Sequence, residues 1–164
     1  MMYRKYKNAQ DVLYILEHLR PHDLEEVQTV HGENWKLKVF NQIMQTDFDV
    51  LMGINSDGDV PVCMGGVAHL EKDEPGVGVV WMLCTDDITN HPTVLLRELK
   101  KEFKKYDENF WMLYNFMLSK DVQAKNWLKW MGFDFTFPQP PNLKHLIPKG
   151  FEFFYRIKKP RGLS

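Results

Sequence analysis

GVGVVWMLCTDDITNHPTVLLRELKKEF (residues 76–103), continued by FWMLYNFMLSKDVQAKNWLKWMGF (residues 110–133), is the stretch whose reading decides the fold. Val77 to Cys84 is almost wholly apolar, the pattern of a central strand buried on both faces. Pro92 suits the first position of a helix, where its missing N–H costs nothing. Leu95, Leu99, Phe103 and Tyr106 follow at helical spacing. Phe110 to Leu118 reads as a second apolar strand. Asp121 is placed to cap a helix whose Ala124, Trp127, Leu128 and Met131 fall at i, i+3, i+4 and i+7, and Gly132 supplies a left-handed stop. A strand, helix and strand of these lengths cross over right-handedly, which makes the two strands parallel.

Working outward, the preceding half reads as a helical layer followed by an antiparallel meander. Met2 to Tyr6 is a short edge strand, and Asn8 or Asp11 starts a helix with Val12, Ile15, Leu16 and Leu19 on one face. Pro21 either ends that helix or opens the next, which Gly32 stops. Asn34 is placed to cap a third helix carrying Trp35, Val39, Phe40 and Ile43. Phe48 to Ile54 is a strand, SDGD (56–59) a hairpin turn, and Val60 to Leu70 the return strand with Pro61 near its start. Gly65 and Gly66 interrupt that strand and point to a bulge or a close backbone approach. EKDEPG (71–76) is a second turn. Beyond the central stretch, Phe133, Phe135 and Phe137 alternate as a strand. The connection FPQPPNLKHLIPKG (137–150) then leads to a last strand, Phe151 to Ile157. The expected architecture is α/β (α+β): a mixed, mostly antiparallel twisted sheet with a central parallel strand pair and helices on both faces, in one domain over residues 1–164.

Composition narrows the class. The chain has 164 residues, 44% hydrophobic and 13% aromatic, which fits a folded domain with a real core rather than a disordered chain. A formal net charge of -1 supplies no global basic field, so nucleic acid is not an expected partner. No apolar run approaches the length of a membrane span, and MMYRKYKNAQ is no secretory signal. Cys63 and Cys84 sit inside apolar strand-like runs and read as buried thiols of a reducing compartment rather than a disulfide framework.

The paired apolar strands, the helix between them and AKNWLKWMGF (124–133), closing on Gly132-Phe133 after an Asn-containing strand, resemble the GNAT superfamily of N-acetyltransferases. The element order of nearly the whole chain is compatible, and Trp81 to Phe135 carries the specific part. A narrower resemblance joins WMLCTDDITNHPTVLLRELKKEF to LYNFMLSKDVQAKNWLKWMGF. These runs are similar to a phage-encoded GNAT-like family that includes internal virion protein A of short-tailed phages, with Asn115, Leu128, Lys129 and Gly132 at its pattern positions.

The resemblance implies acetyl-CoA as cofactor, held between the fourth and fifth strands, and N-acyl transfer as the activity. It implies pantetheine pairing with the backbone of Met82, Leu83 and Cys84, and pyrophosphate on helix-start N–H groups near Val94 and Leu95 with Arg97 beside them. Asn115 and Asp121 complete the implied cofactor set. The family's usual phosphate loop, Q/R-x-x-G-x-G/A, is replaced here by TDDITNHPT, which has no glycine and places Asp86 and Asp87 beside the phosphates. Many family members carry a Tyr four residues before the closing Gly as general acid. Leu128 stands there, and Tyr114 is the nearby substitute. Asp86, Asp87, His69 and Glu71 are candidate bases, and for each the alternative is an exposed polar side chain on a turn or strand end.

Two further constellations weigh toward structure. His18 and His22 have helical ligand spacing, but Pro21 lies between them, so no metal is expected. Arg97, Lys100, Lys101, Lys104 and Lys105, interleaved with Glu98 and Glu102, read as a solvated helix face, the alternative being contact with an anionic partner. The rival to an enzyme is a non-catalytic virion or assembly protein that uses the fold as a docking surface. A third reading is a host-takeover factor that binds a host protein. Either role places the chain in the host cytoplasm or packaged in the virion, with other phage or host proteins as partners.

Overall fold

Asn8 caps the first helix through its side chain, and Pro21 opens the second, so the helical layer begins where the sequence signals place it. The computed structural model describes residues 2–46, 48–55, 58–69, 76–135 and 147–158. The elements run β1 (Met2–Tyr6), α1 (Ala9–Glu17), α2 (Pro21–His31), α3 (Trp35–Gln45), β2 (Phe48–Asn55), β3 (Gly58–His69), β4 (Val77–Cys84), α4 (Pro92–Asn109), β5 (Met112–Leu118), α5 (Val122–Trp130) and β6 (Phe151–Ile157). A 3-10 turn over Asp86–Asn90 lies between β4 and α4. The strands neighbour one another in sequence order, and β4–β5 is the parallel pair, with Val77, Gly78 and Val79 opposite Met112, Leu113 and Tyr114. This is the mixed, mostly antiparallel sheet read from the sequence. Two compact units divide the chain: Met1–Val67 with Trp81–Glu98, and Ala68–Val80 with Leu99–Ser164.

In the first unit, α1 to α3 cover one face of the meander. Val12, Ile15 and Leu16 of α1, Val27 of α2, and Trp35, Val39 and Ile43 of α3 bury against Val50, Met52, Met64 and Leu83. Each large aliphatic side chain removed from water here is worth about 1.5–3 kcal/mol. Asn8 Oδ1 accepts from Asp11 N–H at 2.9 Å, and Gly32 closes α2 at φ 76°. Asn34 occupies the position before α3 but makes no side-chain cap bond. Trp35 N–H donates instead to Gly32 O at 3.2 Å, correcting the expected cap. The ammonium of Lys7 binds the carbonyls of Ile43, Met44 and Thr46 at the C-terminus of α3, where a cation is favoured.

The register irregularity falls between Leu51 and Met52, which face Cys63 and Pro61, rather than at Gly65–Gly66. Gly65 has the other expected cause. A Cβ there would lie 2.8 Å from Trp81 O and 3.4 Å from Met82 Cα, so β4 backbone passes over it too closely for any side chain. Gly65 is therefore opposite Met82. Thr85 N–H donates to Val62 O at 2.9 Å, which puts Val62 opposite Thr85. Both contacts fit one antiparallel register of β3 on β4, with Cys63 facing Cys84. β4 is less enclosed than its sequence suggests: Val79, Val80, Trp81 and Met82 are half-buried, and full burial is confined to its ends.

The second unit is organised by aromatic rings. Phe133 stands edge-on to Phe103 at 5.4 Å and to Phe154 at 5.2 Å, while the Arg156 guanidinium lies over Phe103 and pairs with Asp107. Edge-to-face geometry sets positive ring edges against negative faces, adding about 0.5–1.5 kcal/mol per pair. β6 pairs antiparallel with β5, Asn115 facing Phe154. Gly132, at φ 90°, ends α5 as expected, and its successor Phe133 donates back to Leu128 O at 2.9 Å. The strand expected at Phe133 to Phe137 contracts to one bridge, Asp134 with Tyr155, among the described residues. Phe137, Glu71, the turn centred on residues 56–57 and most of the Pro-rich connection lie outside the described residues.

Candidate functional site

In the first unit the end of β4 decides what its free edge can hold. Alternate residues of a strand present their backbone N–H and C=O to the same edge. Thr85 donates toward β3, so Cys84, and Met82 two residues before it, present theirs to the opposite edge. That edge at Cys84 is taken. Cys84 N–H donates to Asp23 Oδ2 at 2.8 Å, and Cys84 O accepts from Arg20 N–H at 2.9 Å. Leu19 and Thr85 form an antiparallel bridge, so the α1–α2 link runs beside the strand end as an extra rung. The Arg20 guanidinium bonds Asp23 Oδ1 at 2.8 Å, and the two residues are 7% and 4% exposed. Pro21 fixes the first turn of α2 and sets Asp23 in it, where a carboxylate favours the positive helix end.

The remaining expected cofactor residues of this unit divide by role. Leu83 is 7% exposed, its side chain in the helical-layer core and its backbone, by alternation, toward β3. Met82 presents its backbone to the free edge, two residues before the Cys84 clasp. The glycine-free turn after β4 is the 3-10 segment, anchored by fully buried Ile88. Its polar groups serve one another: Asn90 donates to Asp87 Oδ1 at 2.8 Å, His91 Nε2 lies 3.4 Å from Asp87 Oδ2, and Thr89 donates to Asp86 O at 2.9 Å. Asp86 is exposed at the head of this turn. Leu95 is buried and its N–H is spent on His91 O at 3.0 Å. With Pro92 lacking an N–H, Thr93 and Val94 hold the helix-start donors. Arg97 is exposed beside Glu98, with 3.7 Å between their charged atoms.

In the second unit, Asn115 explains where the parallel ladder stops. Its Nδ2 donates to Val80 O at 2.7 Å, and its Oδ1 accepts from Phe116 N–H at 2.7 Å. The side-chain amide thus stands where a direct backbone rung would be, and spreads β5 from Val80 by its own width while satisfying both groups. Tyr114 lies on the alternate side of β5, its ring 5.7 Å from Phe153. Burial pushes its phenol above the usual value, which keeps it protonated. Asp121 is 2% exposed and caps α5, accepting from Ala124 N–H at 3.1 Å. It is a buried helix cap.

Sequence reasoning missed Arg20 and Asp23. The available signal was RPHD (20–23), a proline-fixed helix start with a carboxylate two residues on, but nothing local reveals that both charges are buried. Among the described residues no group of three or more His, Cys, Asp or Glu side chains could hold a metal, and no helix is long and apolar enough to cross a membrane.

An acetyl-CoA fit can be tested on these contacts. A pantetheine arm needs successive backbone partners along the free edge of β4. Cys84 already spends both groups on Arg20 and Asp23, Leu83 faces β3, and Met82 is left. The phosphate end meets a self-bonded acidic turn with two helix-start donors. The residues present fit the cofactor poorly at both ends.

No protein-family model matches the sequence, and no curated protein matches it. Solved structures do. An acetyltransferase from Streptococcus agalactiae superposes with a TM-score of 0.65 at 12% identity, over 95% of this chain and 98% of that one. A GNAT-family acetyltransferase from Streptococcus pneumoniae gives 0.60 at 13% identity, over 96% and 99%. N-acetylglutamate synthase from Neisseria gonorrhoeae, complexed with coenzyme A and N-acetyl-glutamate, gives 0.64 at 11% identity, over 98% of this chain and 36% of that one. At such identities the likeness is one of fold, and the chain has the fold of the GNAT-family acetyltransferases.

Proposed function

We propose that this chain is a phage-type member of the acetyltransferase fold that acts by binding other proteins, as a virion or assembly component in the host cytoplasm, rather than by acyl transfer. One observation carries the reading. The backbone of Cys84, on the edge where the fold's cofactor pairs, is filled by the buried Arg20–Asp23 pair. A fold that spends its cofactor edge on an internal contact retains its surface for recognition. Titration calorimetry of the full chain with acetyl-CoA tests this. The expected result is no heat of binding at millimolar ligand, and a saturable one-to-one isotherm overturns the proposal. Mass spectrometry of purified particles tests the virion role, which is rejected if the chain is absent from them.

N-acyl transfer is the second reading, favoured by Tyr114. Its phenol stays protonated through burial, the form a general acid needs, and Asp86 is an exposed carboxylate. Release of free thiol from acetyl-CoA in the presence of an amine panel, abolished by Tyr114→Phe, would establish that reading in place of the first.

A further inference from the structure

The site just described uses the backbone of Cys84 but neither the Cys84 nor the Cys63 thiol, yet the two side chains are placed against each other. The bond from Thr85 N–H to Val62 O and the Gly65–Met82 approach fix the register of β3 on β4. Cys63 and Cys84 are then directly opposed in an antiparallel pair. Cys84 turns its backbone groups away from β3, toward Asp23 and Arg20, so this is the non-hydrogen-bonded kind of pair. In that kind of pair the Cα atoms approach to about 4.5 Å and the side chains stand on one face. A disulfide requires Cα atoms roughly 4.4–6.8 Å apart, so no backbone movement is needed to close one. Both cysteines are free and buried, at 4% and 2% exposure, and their thiols are hydrogen-bonded to each other.

We propose that Cys63 and Cys84 are a redox-active dithiol that closes into a cross-strand disulfide on reaction with a small disulfide of the glutathione class. One thiolate attacks a sulfur of oxidised glutathione, forming a mixed disulfide and releasing one glutathione thiol. The other thiolate then displaces the second glutathione. Two S–H bonds are lost, one S–S bond forms, and two electrons pass to the reagent, which leaves as two thiols. The link fixes Cys84 to β3 through its side chain, while its backbone still holds the Arg20–Asp23 contact on the other edge. Burial and the thiol–thiol hydrogen bond hold Cys84 protonated, so the native pair reacts slowly and the test must be made at equilibrium.

The full chain is equilibrated in glutathione buffers of graded ratio, in native buffer and in urea. Each point is approached from both the reduced and the oxidised protein. Acid-quenched samples are digested without reduction, and the peptide joining Cys63 to Cys84 is quantified by its loss of two hydrogens. The native fold is expected to favour the link, shifting the half-oxidation ratio by roughly tenfold toward reducing conditions relative to urea. Cys63→Ser removes the joined peptide in both buffers. A half-oxidation ratio equal in the two buffers, or more oxidising in native buffer, overturns the proposal, because opposed strands that hold the thiols in bonding geometry must raise their effective concentration.

Discussion

Replacing Asp23 by Ala should be among the most damaging substitutions in the first unit. Asp23 is 4% exposed and accepts from two groups, the Arg20 guanidinium and Cys84 N–H, each at 2.8 Å. Its removal leaves the Arg20 cation, itself 7% exposed, without that carboxylate in a poorly solvated position. Breaking one side of a buried ion pair costs about 3–5 kcal/mol, and a stranded backbone donor accounts for about 1–3 kcal/mol of such a loss. Asp23→Asn keeps an oxygen for Cys84 N–H and forfeits only the charge, so about 1–3 kcal/mol is expected. The double variant Asp23→Ala/Arg20→Met removes both charges and should be less damaging than the two single losses added, with a coupling of about 2 kcal/mol. Urea unfolding followed by tryptophan fluorescence measures five proteins, the parent, Asp23→Ala, Asp23→Asn, Arg20→Met and the double variant, with midpoints converted at a common slope. If Asp23→Ala lies within about 1 kcal/mol of the parent, or the single effects simply add, then the pair is not the buried clasp inferred here.

Three further outcomes follow from the same contacts. Asn115→Ala should destabilise by about 1–3 kcal/mol, because Val80 O and Phe116 N–H both lose their partner. Asn115→Asp should be no better in chemical denaturation, since a carboxylate cannot donate to Val80 O. Gly65→Ala should cost about 1–3 kcal/mol in thermal or urea unfolding, as its Cβ would meet Trp81 O at 2.8 Å and backbone must shift to relieve it. The pH dependence of stability should carry a Cys84 contribution. The Cys63 hydrogen bond, burial and the neighbouring Asp23 raise its thiol well above the ordinary value, so the folded state binds the proton more tightly than the unfolded chain. That contribution is complete below the unfolded thiol's range and is lost as pH rises beyond it, by up to about 1.4 kcal/mol per pH unit. Cys84→Ala should therefore show a shallower fall in stability above that range than the parent, and identical slopes would refute the assignment.

Much of the fold was legible in local sequence because each signal acts over a few residues. Apolar alternation, Pro21 and Pro92 at helix starts, Gly32 and Gly132 at helix ends, and the Asn8 and Asp121 caps are choices made by backbone stereochemistry and nearest neighbours. They place the strand–helix–strand unit and its parallel pairing without reference to the rest of the chain. The absence of glycine from TDDITNHPT was equally visible. Its folded form was not, because the 3-10 turn depends on Ile88 finding a buried place that only packing provides.

The deciding features of the candidate site belong to tertiary structure. Arg20 and Asp23 lie 61 or more residues from Cys84 along the chain, and their burial depends on the α1–α2 link running beside β4. Asn115 was singled out by resemblance, but its work as an inserted rung appears only when Val80 O is seen opposite it. Cys63 and Cys84 read as two separate buried thiols, and register alone makes them partners. Sequence by itself determined the elements and the order in which they are joined, because propensity and patterning are local. Whether the edge of β4 is open or filled was decided by which distant groups reach its backbone first, and that is settled only when the chain has folded.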